Sequence, residues 1–365
     1  MIEISAQLVT ILMLGGVLTL VMTGFPIAFV IASVALIMGS ILFGGDITYH
    51  IIYSRMYSMV LSYPFLAVPL FTFMGVILQM SGIVEELYTV LYESMRGFRG
   101  GLAIVTIVFG TILAACLGVI TASVTMLTLI ALGPMVTRGY DKSLAAGSVV
   151  AAGTLGILIP PSIMLVVYAP QAGLSIGQMF MAAFTPGLIL SGSYVAYVGI
   201  RCYLNPKLGP PVSEKQRLKL SFSVKMIKLL KALFPPLLII FSVLGTIFLG
   251  IAPPTEAAAM GSLAAVLLAV AYRKMTWDLA KRAALETLRV SSFVLLIAGI
   301  CYAYVGVFMS AGCGNVVKEA ILGIPGGRWA SFGVIMLIVF LLGMFIEWIG
   351  IVFIIAVSYT HLTLP

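Results

Sequence analysis

The sequence predicts an all-α polytopic membrane protein, built as inverted repeats with re-entrant hairpins and a broken helix. Three observations carry this. The 365 residues are 62% hydrophobic and only 9% charged, whereas soluble domains carry about 25% charged residues. Apolar runs near the roughly 20 residues that cross a bilayer recur along almost the whole chain; a transmembrane barrel would show short alternating segments instead. Finally, residues 153–162 read Gly-Thr-Leu-Gly-Ile-Leu-Ile-Pro-Pro-Ser inside one such run. A helix does not continue through Pro160-Pro161, because each proline removes a backbone donor and presses its ring on the preceding turn.

Taken in order, the apolar runs predict spans at about 6–23 and 26–44, an interfacial stretch at 46–60 bearing Tyr49, Tyr53, Tyr57 and Arg55, and a span at 61–81. Residues 83–99, with Glu85, Glu86, Glu93, Arg96 and Arg99, read as an amphipathic surface connector. An apolar stretch, 101–137, is interrupted by Gly118 and by Thr121-Ala122-Ser123-Val124-Thr125. The broken span fills 143–170, and a further span covers 177–203. Residues 205–231 are the long polar segment, rich in Pro, Gly and Lys, and predict a basic linker with a surface helix. Spans follow at 233–250, 255–272 and 291–311, with a second charged connector at 274–289 and a last apolar stretch at 330–357. The domain reading is a first repeat at 1–204, the linker at 205–231, an incomplete second repeat at 232–357, and a non-native tail at 358–365.

Charge placement orders these spans. The loops near 82–100, 138–142, 201–231 and 273–289 hold seventeen of the twenty Lys and Arg residues; Arg55, Lys318 and Arg328 are the other three. All seventeen fall on one face only if 101–137 is a hairpin that leaves on the side it entered. Enrichment of Lys and Arg in cytoplasmic loops then puts that face inside. Each half opens a span with proline (Pro26; Pro253-Pro254), continues through a charged connector, and ends in an apolar stretch with a polar or Gly-rich centre. The two stretches enter from opposite faces, which is inverted-repeat logic.

Polar groups inside apolar spans are the candidate functional residues. Thr121, Ser123 and Thr125 either back-bond to their own helix or form the tip of a hairpin. At such a tip, hydroxyls and unwound carbonyls suit a hard cation such as Na⁺. Around Gly153, Thr154, Gly156, Pro160, Pro161 and Ser162, the first half-helix offers carbonyls to a cation and the second offers a positive end to an anion. Broken backbone of this kind survives in lipid only where protein or a water-filled cavity surrounds it. Glu256 reads as a first-turn helix charge; Glu347 reads equally as ion-site support or as a structural partner.

Other function classes find little footing. The histidines are His50 and His361 alone, and no metalloprotease, nucleotide-binding or nucleophile motif occurs, so no catalytic residue and no cofactor is predicted. Cys116, Cys202, Cys301 and Cys313 show no paired spacing and read as buried packing residues. The net charge of +8 lies in inter-span loops, which argues for membrane orientation and against nucleic-acid binding.

The runs Gly139-Tyr140-Asp141, Ala151 to Ser162, and Gly250-Ile-Ala-Pro-Pro-Thr255-Glu256-Ala-Ala-Ala259 resemble the large membrane subunit of tripartite ATP-independent periplasmic (TRAP) transporters, over about residues 5–357. The resemblance implies a Na⁺-coupled, elevator-type importer of small organic acids in a cytoplasmic (inner) membrane. Its partners would be a small four-helix membrane subunit and a periplasmic solute-binding protein, and its substrates C4-dicarboxylates, keto acids or sialic acids. By carry-over, Thr121, Ala122, Ser123, Thr125, Gly153, Thr154 and Gly156 are the Na⁺ ligand candidates. Ser123, Pro160, Pro161, Ser162 and Glu347 are the substrate candidates. A stand-alone citrate- or dicarboxylate-type carrier is the alternative. Three departures stand out. The usual Thr-Pro-Thr-Glu is Pro253-Pro254-Thr255-Glu256, and a Gly-Ser-Ser-like tip is Thr121-Ala122-Ser123. The family continues into a second broken helix, whereas here Ser358–Pro365 fit neither a span nor the family, which reads as a truncated chain with a foreign tail.

Overall fold

The computed structural model describes residues 4–95, 97–118, 120–211, 222–344 and 348–352. Glu347 and the tail 358–365 lie outside the described residues, as do the side chains of Thr121 and Ala122. Among the described residues every regular element is helical, and five helices are long and apolar enough to cross a membrane.

The chain runs α1 (Ala6–Met22), α2 (Ile27–Phe43), α3 (Gly45–Val60) and, after a tight turn at Tyr63–Leu66, α4 (Ala67–Ser81). The short α5 (Glu85–Met95) leads into α6 (Gly101–Leu117). Beyond Gly118 come α7 (Ile120–Leu127), a π turn and α8 (Gly133–Thr137). The broken span consists of α9 (Lys142–Thr154), a 3₁₀ turn at Leu155–Ile157, and α10 (Ile163–Gln171). Then follow α11 (Ile176–Leu204), α12 (Phe222–Ile240) with a π turn into α13 (Thr246–Phe248), and α14 (Pro254–Ala271). The final helices are α15 (Trp277–Ser310), α16 (Cys313–Leu322) and α17 (Gly327–Gly343).

Two compact units are present: residues 66–166 with 175–290, and residues up to 65 with 167–174 and those from 291 on. In the first, α4 and α14 pack closely along small residues, and the Ser262 hydroxyl donates to the Leu70 carbonyl at 2.7 Å. Within the same unit α6 and α7 both pack on α9. The α6–α9 contact is backbone-close: a Cβ on Gly110 would lie 2.7 Å from the Ala152 Cβ. In the second unit α1 packs on α2 and α16, and the Phe65 ring meets Tyr302 edge-on.

Residues 101–137 fold back on themselves as α6, α7 and α8. The two ends meet at one foot. The Gly100 N–H donates to the Gly209 carbonyl at 2.9 Å, and the Asp141 N–H donates to the Leu208 carbonyl at 3.0 Å. Between them, the Leu102 N–H donates to the Tyr140 hydroxyl oxygen at 3.2 Å. Burial pushes the Tyr140 hydroxyl up to about 12, against the lowering effect of that N–H, so it stays protonated. The Arg138 guanidinium lies 4.3 Å from the centre of the Tyr92 ring, which ties the same foot to α5. A segment whose start and end share one anchor does not cross to the other face.

Two expectations change. Residues 274–289 are not a separate surface connector. From Trp277 on they form the first turns of α15, a continuous helix of 34 residues and about 51 Å. That exceeds the roughly 30 Å hydrocarbon layer, so its first turns stand outside lipid, braced by Arg282–Asp278 at 2.7 Å and Arg289–Glu286 at 2.9 Å. The short amphipathic helix before the second apolar stretch is α16. It precedes α17, from Gly327, as α5 precedes α6, from Gly101. Each of these starts follows a glycine at positive φ, Gly100 at 71° and Gly326 at 111°. The halves also exchange helices: α12 packs on α5 and α6, while α1 packs on α16.

Gly110→Leu should destabilise the protein by about 1–3 kcal/mol, because the added side chain has only the α9 backbone to enter. Gly199→Ala, where a Cβ meets open space, should leave the thermal midpoint in detergent unchanged or slightly raised. Equal midpoints for the two variants would contradict the packing described.

Candidate functional site

The site is built where the hairpin tip meets the interruption in the broken span. In a continuous helix the Gly156 carbonyl would accept from residue 160 and the Ile157 carbonyl from residue 161. Both positions are proline, so both donors are missing. The Ser162 hydroxyl replaces one of them, donating to the Ile157 carbonyl at 2.6 Å. Before the break, the Leu158 and Ile159 N–H groups both converge on the Leu155 carbonyl, at 3.0 and 2.9 Å. After it, α10 restarts with the Val166 N–H on the Ser162 carbonyl at 3.2 Å. The Pro160–Pro161 peptide is cis.

Gly118 brings the hairpin tip to this point. It sits at φ 63°, and a Cβ there would stand 3.2 Å from the Pro161 carbonyl oxygen and 3.6 Å from the Ser162 Cα. On its other side the tip is held by α4, where a Cβ on Gly75 would stand 2.9 Å from the Leu117 carbonyl oxygen. The second arm is equally close to α9: a Cβ on Gly153 would lie 3.1 Å from the Val124 Cα. Three glycines therefore let backbone meet backbone around the break, where carbonyl oxygens and amides are the available chemistry.

The sequence-predicted residues divide as follows. Thr121, Ala122, Ser123 and Thr125 all lie on α7, the first two turns after the tip. Ser123 is fully buried, whereas Thr125 is exposed. Gly153 and Thr154 end α9, and the Thr154 hydroxyl back-bonds to the Ala151 carbonyl at 2.8 Å. Gly156 is buried in the 3₁₀ turn, and Pro160, Pro161 and Ser162 are buried at the break itself. Tip and break are thus one cluster. Glu256 lies exposed in the first turn of α14, which is the position of a helix-dipole charge.

Beside this cluster lies a cavity of about 510 Å³. Leu117 and Gly75 line its tip end, Thr125 and Gln79 its wall, and Glu85 and Glu286 its far end. Along α4 and α7 it runs from the hairpin tip toward the foot, the face that carries the basic loops. Its lining was not legible in the sequence, because Gln79, Thr125 and Glu286 sit on three helices far apart in the chain, with no shared motif.

An all-helical polytopic protein with a hairpin tip seated on an interrupted helix has the architecture of a membrane transport subunit. The chain belongs to the family described as "Tripartite ATP-independent periplasmic transporter, DctM component", whose model matches residues 14–360. It is 31% identical over 297 residues to the C4-dicarboxylate TRAP transporter large permease protein DctM of Pseudomonas aeruginosa, covering 80% of this chain and 67% of that protein. It is 35% identical over 216 residues to the protein of the same name from Vibrio cholerae, covering 58% of this chain and 46% of the relative. It is 27% identical over 325 residues to the isethionate TRAP transporter permease protein DctMQ of Oleidesulfovibrio alaskensis, covering 89% and 50%. The match thus spans about half to two thirds of these relatives' length. As a member of this family the chain is a multi-pass protein of the cytoplasmic membrane.

Gly118→Ala places a β-carbon in left-handed backbone and against the Pro161 carbonyl. It should cost about 1–2 kcal/mol. Thermal unfolding followed by tryptophan fluorescence checks this; an unchanged midpoint would mean that the tip does not seat on the break.

Proposed function

We propose that this chain is the membrane subunit of a Na⁺-coupled secondary transporter that imports small organic acids delivered by a periplasmic solute-binding protein. The observation that carries the reading is the seating of the Gly118 tip on the Pro160-Pro161 interruption. Oxygen donors freed by the prolines, with the hydroxyls of Ser123, Thr125 and Thr154 within the same cluster, are the ligand type a hard cation takes. Thr121, Ala122, Gly153 and Gly156 would contribute backbone carbonyls to the same Na⁺ site. The start of α10 at Ser162 would meet an anionic group, since a helix N-terminus favours negative charge.

Relatives named for C4-dicarboxylates and for isethionate support a small organic acid, carboxylate or sulfonate, as the cargo. The relative named as a fused DctMQ permease supports a small membrane subunit as partner. On this reading the chain divides into a first repeat at 1–204, a linker at 205–231 and a second repeat at 232–357, whose hairpin would bring Glu347 to a related site. Movement of the hairpin and broken helix as one body fits their tight mutual packing, and constitutes the elevator step.

Proteoliposomes containing the permease, its small subunit and its binding protein should take up a C4-dicarboxylate only under an inward Na⁺ gradient. Ser123→Ala with Thr154→Ala should raise the half-saturating Na⁺ concentration about tenfold, the equivalent of roughly 1.4 kcal/mol of ion binding. Uptake that is indifferent to Na⁺, or an unaltered Na⁺ dependence in the double variant, would overturn the reading.

A further inference from the structure

On the outer side of the same unit, away from the tip, α6, α9 and α11 enclose a second cavity of about 560 Å³. At one end it is lined by Asp141, Arg201 and Leu208, all at the hairpin foot. At the other it is lined by Ala151 and Ile107. The walls carry Tyr197, which is 59% exposed, and Gly147, where a Cβ would meet nothing within 4 Å. The groove is therefore open to the surroundings of the protein and is not filled by its own side chains.

We propose that this groove holds one anionic phospholipid of the inner leaflet, with its phosphate at Arg201 and an acyl chain along α9 toward Ala151. Length favours this occupant. From Asp141 to Ala151 the α9 axis advances about 15 Å, half of the roughly 30 Å hydrocarbon layer and so the depth of one leaflet. A cavity of about 560 Å³ has room for an acyl chain along this wall. Charge selects the headgroup. The mouth opens at the face holding seventeen of the twenty basic residues. Arg201 lies there over the Tyr197 ring at 6.0 Å, with Lys142 and Lys207 adjacent in sequence to the lining residues Asp141 and Leu208. Asp141 is the acidic group of the lining, and its carboxylate is engaged in capping α9 through the Leu144 N–H at 2.9 Å. Tyr197 beside Arg201 is the aromatic that marks the headgroup level. The inference stands independently of the ion site, because none of its residues belongs to the tip or the break.

Native mass spectrometry of the protein released from phosphatidylcholine vesicles containing a minor fraction of phosphatidylglycerol tests it. One phosphatidylglycerol should stay bound in preference to phosphatidylcholine. Arg201→Gln should reduce that preference about fivefold, the weight of one basic residue near an anionic surface. Gly147→Leu, whose Cβ enters open space, should remove retained lipid of both kinds at an unchanged thermal midpoint. Equal retention of the two lipids by the wild-type chain, or full retention by a normally folded Gly147→Leu protein, would overturn the proposal.

Discussion

A backbone with two missing donors, set in a medium that supplies no water, is the constraint around which this protein is arranged. Pro160 and Pro161 leave the Gly156 and Ile157 carbonyls without their helical partners, and lipid cannot replace them. The structure meets this with three local devices. The Ser162 hydroxyl bonds to Ile157, the 3₁₀ turn at Leu155–Ile157 tightens the end of α9, and the hairpin tip at Gly118 covers the break. Each works only if backbones can approach one another, which is why glycine stands at 75, 110, 118 and 153. The same closeness makes the hairpin, α9 and the break a single packed body.

The hairpin in turn depends on its foot. A re-entrant segment has two ends on one side, and these must be tied, or the tip is free to slide along α9. Here the Gly100 and Asp141 amides bond to consecutive carbonyls, Gly209 and Leu208, of one short segment after α11. Tyr140 and Arg138 add a second clasp to α6 and α5. The tip is thereby placed from about 25 Å away, the length of the 17-residue α6. Position at the break is set by covalent length and foot geometry more than by contacts at the tip itself.

Much of this was legible in the sequence, and the reasons are particular. Two adjacent prolines set among Gly153, Gly156 and Ser162 mark the break, whereas Pro235-Pro236, flanked by Phe234 and Leu237, lie inside the continuous α12. The hairpin was legible indirectly, because only a re-entrant 101–137 gathers seventeen basic residues on one face. What misled was charge at the end of a long helix. Asp278, Arg282, Glu286 and Arg289 form i,i+4 and i,i+3 pairs that look like a surface helix, yet a helix of 34 residues is simply longer than the layer it enters. Hydropathy reports where lipid stops, not where a helix does. The short helix before the last apolar stretch is α16, a weaker signal whose charges are Lys318 and Glu319. The Gly100 and Gly326 starts, both at positive φ, were the readable mark of correspondence.

The exchange of helices between the halves explains why that correspondence was hard to see from local pattern. Since α12 packs on α5 and α6, and α1 on α16, neither half completes its own apolar surface. Its apolar face is matched to residues about 120 to 300 positions away. Pattern within a segment then encodes a partner that the segment does not contain, so periodicity gives the helix without giving its neighbour. The Ser162 bond, by contrast, closes over 5 residues and the Gly118 contact with Pro161 over 43 (161 − 118), so the break is local in sequence.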